Sequence, residues 1–415
     1  MEVLKNEVVI IGAGIAGLTC AIELEKRGTH PLIIEATDRV GGRVKTDEKD
    51  GYLMDHGFQV LLTAYPEAQH YLNYDKLELK TFDPGAIIYE VNRRYEISDP
   101  LRNPSSVFSM AFSPVGGLGD KLKMAKLTGS LKKQSVEAIF NKDELTTMAY
   151  LKDYGFSPRI LTNFFTPFFG GIYLENELTT SSRMFEFVFK MFSEGHAAIP
   201  AKGIEEIPKQ LLNQLKHTDI RYNTRVKQVS QEVVLENDEK LKPKKVVIAT
   251  QPEAIMDGFH EKPKYQSVLN LYFSCSKAVL KQPLIGLVTD ENKLINNFCD
   301  LTAVSSDYST TGERLISVSV NNDATLEVQE DVVQELVELT GLSATDFNYL
   351  ASYPIPKALP INQDLKYDMA ATEVKVHDDI FLAGDYLLNA SLNAAMLSGR
   401  RAAEAVKSSL SGSLF

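Results

Sequence analysis

Residues 7–36 read EVVIIGAGIAGLTCAIELEKRGTHPLIIEA, and this stretch decides the fold. Val8 to Ile11 form a short uninterrupted apolar run, the pattern of a parallel strand covered on both faces. Ile15, Leu18, Ala21 and Ile22 then recur at helical spacing, Gly28 supplies a C-terminal stop, and Leu32 to Ile34 form a second buried strand. The unit is β-α-β. Gly12, Gly14 and Gly17 fall in the strand-to-helix turn as GxGxxG, with Ile15 and Ala16 between them. As a bare pattern this is weak; between a strand and a helix it reads as a dinucleotide-binding turn. Glycines let the backbone approach a pyrophosphate, whose charge meets unpaired N–H groups at the helix N-terminus. Glu35, followed by Ala36, ends the second strand where an acidic side chain accepts hydrogen bonds from an adenosine ribose.

The next stretch, residues 36–68, is ATDRVGGRVKTDEKDGYLMDHGFQVLLTAYPEA. Arg39 and Arg43 bracket Gly41-Gly42, so two guanidinium forks flank a turn whose backbone can come close to a ligand, and a phosphate is the expected partner. GAGIAG, Glu35 and the run Arg39-Val40-Gly41-Gly42-Arg43 together resemble the N-terminal FAD signature of the flavin amine oxidase superfamily. That superfamily includes amine oxidases, phytoene-type carotenoid desaturases and protoporphyrinogen oxidases. The resemblance implies FAD extended across a Rossmann-like domain, with Gly57, Phe58 and Gln59 near the isoalloxazine and Val226 beside the adenine. None of Cys20, Cys275 and Cys299 falls within 353–400, where related amine oxidases attach their flavin, so the FAD is expected to be non-covalent.

At the other end, IFLAGD (380–385) closes the nucleotide sheet. Gly384-Asp385-Tyr386 followed by SLNAAMLSG (391–399) resembles the C-terminal motif of carotenoid desaturases, although asparagine and alanine stand where glutamate and glycine are usual. By that resemblance Asp385 serves the ribityl or pyrophosphate end of FAD. Leu392, Asn393 and Ala395 open a helix whose positive pole neighbours the flavin pyrimidine, worth ~0.3 to 2 kcal/mol to an anionic reduced flavin.

Composition bounds the remaining choices. At 415 residues two domains are the better expectation. The 55 acidic against 44 basic residues give a net charge of −11, which disfavours non-specific nucleic-acid binding. Three scattered cysteines draw neither a disulfide framework nor a CxxC pair, and seven histidines include no HxxxH spacing, so no metal site is expected. The N-terminus does not read as a signal peptide, and no apolar run reaches the roughly 18 residues of a membrane span. A cytoplasmic protein is expected, with peripheral contact to a membrane left open.

The fold class expected is α/β, a Rossmann-like FAD-binding domain interleaved with a mixed α+β substrate domain. The FAD-binding domain takes 1–75, 196–255 and 366–415. The substrate domain takes a helical part at 76–195 and an antiparallel sheet part at 256–365. DIRYNTRVKQVS (219–230) reads as one strand and KKVVIAT (244–250) as another. SVLNLYFS, LIGLV, FCDLTAV and LISVSV read as sheet strands, a helix follows near 328–340, and ASYPIPKALP (351–360) reads as a connector leading back. Aromatics gather in LTNFFTPFFGGIYL (161–174) and RMFEFVFKMF (183–192). They read first as core, then as the wall of an apolar pocket, then as a membrane face.

The flavin would carry the hard chemistry. No second dinucleotide turn follows a strand, since GGLG at 116–119 lacks one, so electrons are expected to leave for oxygen, a quinone or another diffusible acceptor. His56 is the one catalytic candidate; with no orienting carboxylate identified in the sequence, it reads as structural ahead of catalytic. Amine oxidases of the superfamily often place a lysine near flavin N5 on a substrate-domain strand, and Ser267–Ser274 contains none. The preferred reading is an oxidase or desaturase moving a hydride from a small apolar, polyene or cyclic substrate to flavin N5. An amine or amino-acid oxidase is the second, and a redox-neutral isomerase or non-catalytic flavin binder the third.

Overall fold

A computed structural model describes residues 7–90, 93–98, 115–256, 259, 263–321, 327–362 and 364–412. Residues 1–6, on which the reading of the N-terminus partly rests, lie outside them. The first sheet has six strands in the order Asp219–Arg221, Leu32–Ile34, Val8–Ile11, Lys245–Ile248, Ile380–Leu382 and Lys375–His377. The first five are parallel and the last turns back antiparallel. Register sets Ile10 beside both Ile33 and Val247, and Val247 beside Phe381.

Alternation along these strands explains why they read as unbroken apolar runs. Val8, Ile10, Ile33, Val247 and Phe381 share one core with the helices Ile15–Lys26 and Leu392–Leu410. Val9, Ile11, Leu32, Ile34, Val246 and Ile248 pack on the other side with Val226, Val229, Val233 and Leu235. Those last four belong to a small antiparallel sheet of Val226–Val229, Val233–Leu235 and Lys240–Leu241. The stretch 219–230 is therefore two strands in two sheets, because Asn223 takes a left-handed conformation (φ 50°) between them. Both faces of the parallel sheet are covered, as its composition requires.

The helices Ile15–Lys26 and Leu392–Leu410 meet at Gly399, where a β-carbon would lie 2.3 Å from the Ala16 carbonyl oxygen. Gly17 serves the same end on the first helix, since a β-carbon there would lie 2.0 Å from the carbonyl oxygen of Gly12. The last segment of the chain is thereby seated against the first turn.

The second sheet has seven strands, ordered Phe347–Ile361, Lys264–Cys275, Arg314–Asn321, Ile295–Asp300, Ile285–Val288, Gly85–Glu90 and Arg93–Ser98. One face packs Leu269, Leu271, Phe273 and Val318 against Val332 and Leu336 of the helix Gln329–Thr340. Four details depart from the sequence reading. The segment 76–195 contributes the hairpin 85–98, and its first strand pairs in parallel with Ile285–Val288, so the sheet is mixed. Within FCDLTAV the strand stops at Asp300, whose carboxylate accepts from Ala303 N–H at 3.1 Å and caps the short helix Leu301–Val304. ASYPIPKALP is not a connector but most of the fifteen-residue strand Phe347–Ile361. That strand lies at the sheet edge, the one place where its prolines cost no ladder bond. Residues 99–114 of the helical part lie outside the described residues.

Asp55, which ends the hairpin strand Tyr52–Asp55, ties that hairpin to the mixed sheet and to the loop at Ile204. Its buried carboxylate accepts from Thr46 Oγ1 at 2.6 Å, Ile204 N–H at 3.0 Å and the Tyr308 hydroxyl at 2.8 Å, and its carbonyl accepts from the Tyr272 hydroxyl at 2.8 Å. Burial disfavours the charged carboxylate and pushes its pKa from 3.8 up to about 6. Between those values the folded chain binds a proton the unfolded chain has released, so stability falls as pH rises. Denaturation midpoints of the wild type should decline from pH 4 to pH 7 by an Asp55 contribution of at most roughly 3 kcal/mol. Asp55→Asn should lack that component; identical pH dependence in the two proteins would refute the assignment.

Candidate active site

A cavity of about 1400 Å³ runs between the two sheets. It begins at the first turn, where Gly12 N–H donates to the Ile34 carbonyl at 2.8 Å and the backbone takes φ 104°. A β-carbon at Gly12 would lie 2.9 Å from the Ala249 carbonyl oxygen, so glycine is needed for both conformation and space. The Gly41-Gly42 turn lies against this one: Gly41 N–H donates to the Ala13 carbonyl at 2.9 Å, and a β-carbon on Gly42 would come within 3.4 Å of Gly14 Cα. Two side-chain-free turns thus leave an open cradle beside the N-terminus of the helix Ile15–Lys26.

Around the cradle the charged groups are already positioned. Glu35, buried, accepts from Ala13 N–H at 2.8 Å on Oε2 and from Thr37 N–H at 2.9 Å and the Thr37 hydroxyl at 2.8 Å on Oε1, which leaves one lone pair of the carboxylate, on Oε2, for a further donor. Arg43 reaches across the chain to Asp385 at 2.5 Å and donates to the Ala358 carbonyl at 2.9 Å. Gln59 donates to the carbonyls of Arg43 (3.0 Å) and His56 (2.9 Å), fixing the 56–59 segment against that arginine loop. On the opposite jaw Ser391 Oγ accepts from Ala394 N–H at 3.0 Å and caps the helix Leu392–Leu410. Its first N–H groups have no intrahelical acceptor and constitute the positive pole.

The cavity lining brings together Gly12, Gly14, Ile15, Ala16, Glu35, Gly42, Arg43, His56, Gly57, Phe58, Gln59, Gly384, Asp385, Leu392 and Ala395. Gly17, Ala36, Arg39, Val226 and Asn393 do not border it. Arg39 is turned to Asp47 (2.5 Å) and Glu205 (3.7 Å), Val226 is core of the three-stranded sheet, and Asn393 Oδ1 accepts from Glu67 N–H at 2.9 Å.

Beyond the cradle the cavity opens between the mixed sheet and the aromatic helices. Phe165, Phe169, Phe185 and Phe187 are fully buried core, whereas Phe168, Ile172, Tyr173, Met184, Val188 and Phe192 line the chamber. The aromatic run is thus both core and wall. Its helix is irregular, passing through a π-helical turn at Leu161–Phe165 before Thr166–Tyr173. Across the chamber the sheet offers Asn297 and Ser319, the latter donating to Asn270 Oδ1 at 3.1 Å. Lysine enters from the edge strand instead of Ser267–Ser274: Lys357 lines the cavity, bonded to Gln251 at 2.5 Å.

A scan against family models matches residues 15–407 to the flavin-containing amine oxidoreductases. The chain belongs to that family. That family is one of FAD-dependent oxidoreductases. An L-amino-acid oxidase of Pseudechis australis is 33% identical over 179 residues, covering 38% of this chain and 34% of that protein. The chain thus spans about a third of the length of the curated relatives it matches. Among solved structures, an oxidoreductase from Methanosarcina mazei superposes with TM-score 0.74 at 14% identity, over 96% of this chain and 99% of that one. Cyclohexylamine oxidase from Brevibacterium oxydans IH-35A superposes with TM-score 0.68 at 15% identity, over 98% and 99%. At these identities the superpositions speak for the fold.

The residues present fit the cofactor this family implies. The cradle has room that a β-carbon at Gly14 or Gly42 would take, Arg43 offers a cation beside it, and the buried Tyr386 hydroxyl on the lining has no partner. Asp385→Ala should leave the fold intact and lower the flavin content of the purified protein several-fold, read from absorbance near 450 nm against protein. Unchanged flavin content would remove Asp385 from the cofactor's contacts.

Proposed function

We propose that the chain is an oxidase or desaturase that takes a hydride from a small, largely apolar substrate, with non-covalently bound FAD as the acceptor. One observation carries this reading: a single cavity joins the glycine cradle to a chamber walled by Phe168, Ile172, Met184, Val188 and Phe192. FAD, when bound, supplies a two-electron hydride acceptor. The chain's own part is binding, orientation and exclusion of water. Gly12, Gly14 and the N-terminus of the helix Ile15–Lys26 would receive the pyrophosphate, Glu35 the ribose, and Arg43 a phosphate charge. Gly57, Phe58 and Gln59 would border the isoalloxazine, facing the helix N-terminus at Leu392 and Ala395.

In the chamber the aromatic and aliphatic wall removes apolar surface from water, at about 25 cal/mol per Å² buried. Asn297 and Ser319 provide neutral hydrogen-bonding points that can orient a carbonyl or hydroxyl on the substrate. Among the described residues the lining's cations are Arg43, engaged by Asp385, and Lys357, engaged by Gln251. A free amino-acid carboxylate would find no uncommitted cation among them, which disfavours amino-acid oxidation.

Amine oxidation is the second reading. Asp83 and Glu144 are exposed at the lining and could receive an ammonium, and the cyclohexylamine oxidase superposition gives a cyclic amine as a model for such a substrate. Dioxygen or a quinone would reoxidise the flavin in either case.

Anaerobic mixing of the yellow protein with a panel of polyenes, cyclic ketones, cyclic alcohols and amines, followed by flavin absorbance, separates these readings. Bleaching by neutral apolar compounds and not by amines is expected. Bleaching by amines alone, with peroxide released in air, would replace the first reading by the second; no bleaching by any member would overturn both.

A further inference from the structure

We propose that His56, held by Asp47, is the proton acceptor of the oxidation site, and that it hands the proton on to solvent. The inference rests on the oxidase or desaturase reading above. His56 lines the cavity next to Gly57, Phe58 and Gln59. The carboxylate missing from the sequence reading is Asp47, on the neighbouring strand of the hairpin formed by Thr46–Lys49 and Tyr52–Asp55. Its Oδ2 stands 3.0 Å from His56 Nε2 and accepts from the Tyr353 hydroxyl at 3.1 Å, while Oδ1 meets Arg39 at 2.5 Å. The Tyr353 ring packs on the imidazole with centroids 4.6 Å apart. Three elements, the hairpin, the arginine turn and the edge strand, thus fix one imidazole.

With Nε2–H committed to Asp47, the neutral ring keeps Nδ1 as its acceptor. An oxidation that turns H–C–X–H into C=X, where X is nitrogen, oxygen or carbon, releases a hydride and a proton. The hydride carries both electrons to the flavin, from which dioxygen or another diffusible acceptor later removes them. The proton on X goes to Nδ1, and the imidazolium, 31% exposed, then returns that Nδ1 proton to solvent while its Nε2–H stays on Asp47. Partial burial works against ionisation of Asp47, but bonds from Arg39, His56 and Tyr353 outweigh it and hold its pKa below the usual carboxylate range. Asp47 therefore stays anionic and acts as a positioning residue. The charged and titratable groups facing His56 are Asp47, Tyr353, Arg39 through Asp47, and the preceding Asp55, which adds a second negative charge once it ionises above about pH 6.

The test uses the flavin-loaded chain and no substrate. Protons taken up on anaerobic photoreduction are counted with an indicator dye from pH 5.5 to 8.5, in the wild type, His56→Gln, Asp47→Asn and Asp47→Glu. The wild type should take up as much as one more proton per flavin than His56→Gln over part of this range. Asp47→Asn, which loosens the hold on the ring, should lose most of the extra uptake, and Asp47→Glu, which restores a carboxylate there, should recover it, a rescue that a purely structural role would not produce. Should His56→Gln lose its flavin, the loss in Asp47→Asn and its recovery in Asp47→Glu decide. Equal uptake curves in all proteins, with flavin bound, would overturn this proposal and leave the oxidase reading standing. A chain that binds no flavin would overturn that reading and the proposal with it.

Discussion

Everything in the molecule depends on how closely the last helix lies against the first. Gly399 lets the helix Leu392–Leu410 rest on the backbone of Ala16, and Gly17 lets the first helix rest on its own preceding turn. A methyl group at Gly399 would push the last helix off the first, and one at Gly17 would strike the carbonyl of Gly12. These contacts are van der Waals approaches of backbone to backbone, individually weak but unforgiving of added volume. They explain why residues separated by almost the whole chain, such as Arg43 and Asp385, come within salt-bridge distance.

The second constraint is the coupling between the parallel sheet and the mixed one. Asp55 ties the hairpin 46–55 to Tyr272 of the mixed sheet, and the edge strand Phe347–Ile361 passes over the Arg43 turn, where the Ala358 carbonyl accepts from Arg43. The chamber's polar points, Asn297 and Ser319, lie on the sheet face opposite the one that packs Leu269, Leu271 and Val318 against the helix Gln329–Thr340.

Much of this was legible in the sequence because the nucleotide half is encoded locally. Gly12, Gly14, Glu35, Gly42 and Arg43 lie within 32 residues of one another, and the turn chemistry that groups them is the chemistry that binds phosphate. The substrate half is assembled over long distances. Tyr353, Pro354 and Pro360 belong to a strand hidden by its own prolines, whose tolerance depends on an edge position that no local pattern reveals. No local pattern singles out Asp47, and only the antiparallel register of Thr46–Lys49 with Tyr52–Asp55 brings it to His56. Arg39 looked like a twin of Arg43, yet its fork is taken up by Asp47 and Glu205. The aromatic run could be seen as core or as wall, and three-dimensional packing divides it between them.

The central claim is that two ends of the chain close on one non-covalent FAD. Heat-denaturing the purified protein and measuring the flavin released into the supernatant tests it most directly. The account predicts close to one FAD per chain in solution and a colourless precipitate. Flavin retained in the precipitate, release of FMN alone, or a protein that neither carries flavin nor binds added FAD would contradict it.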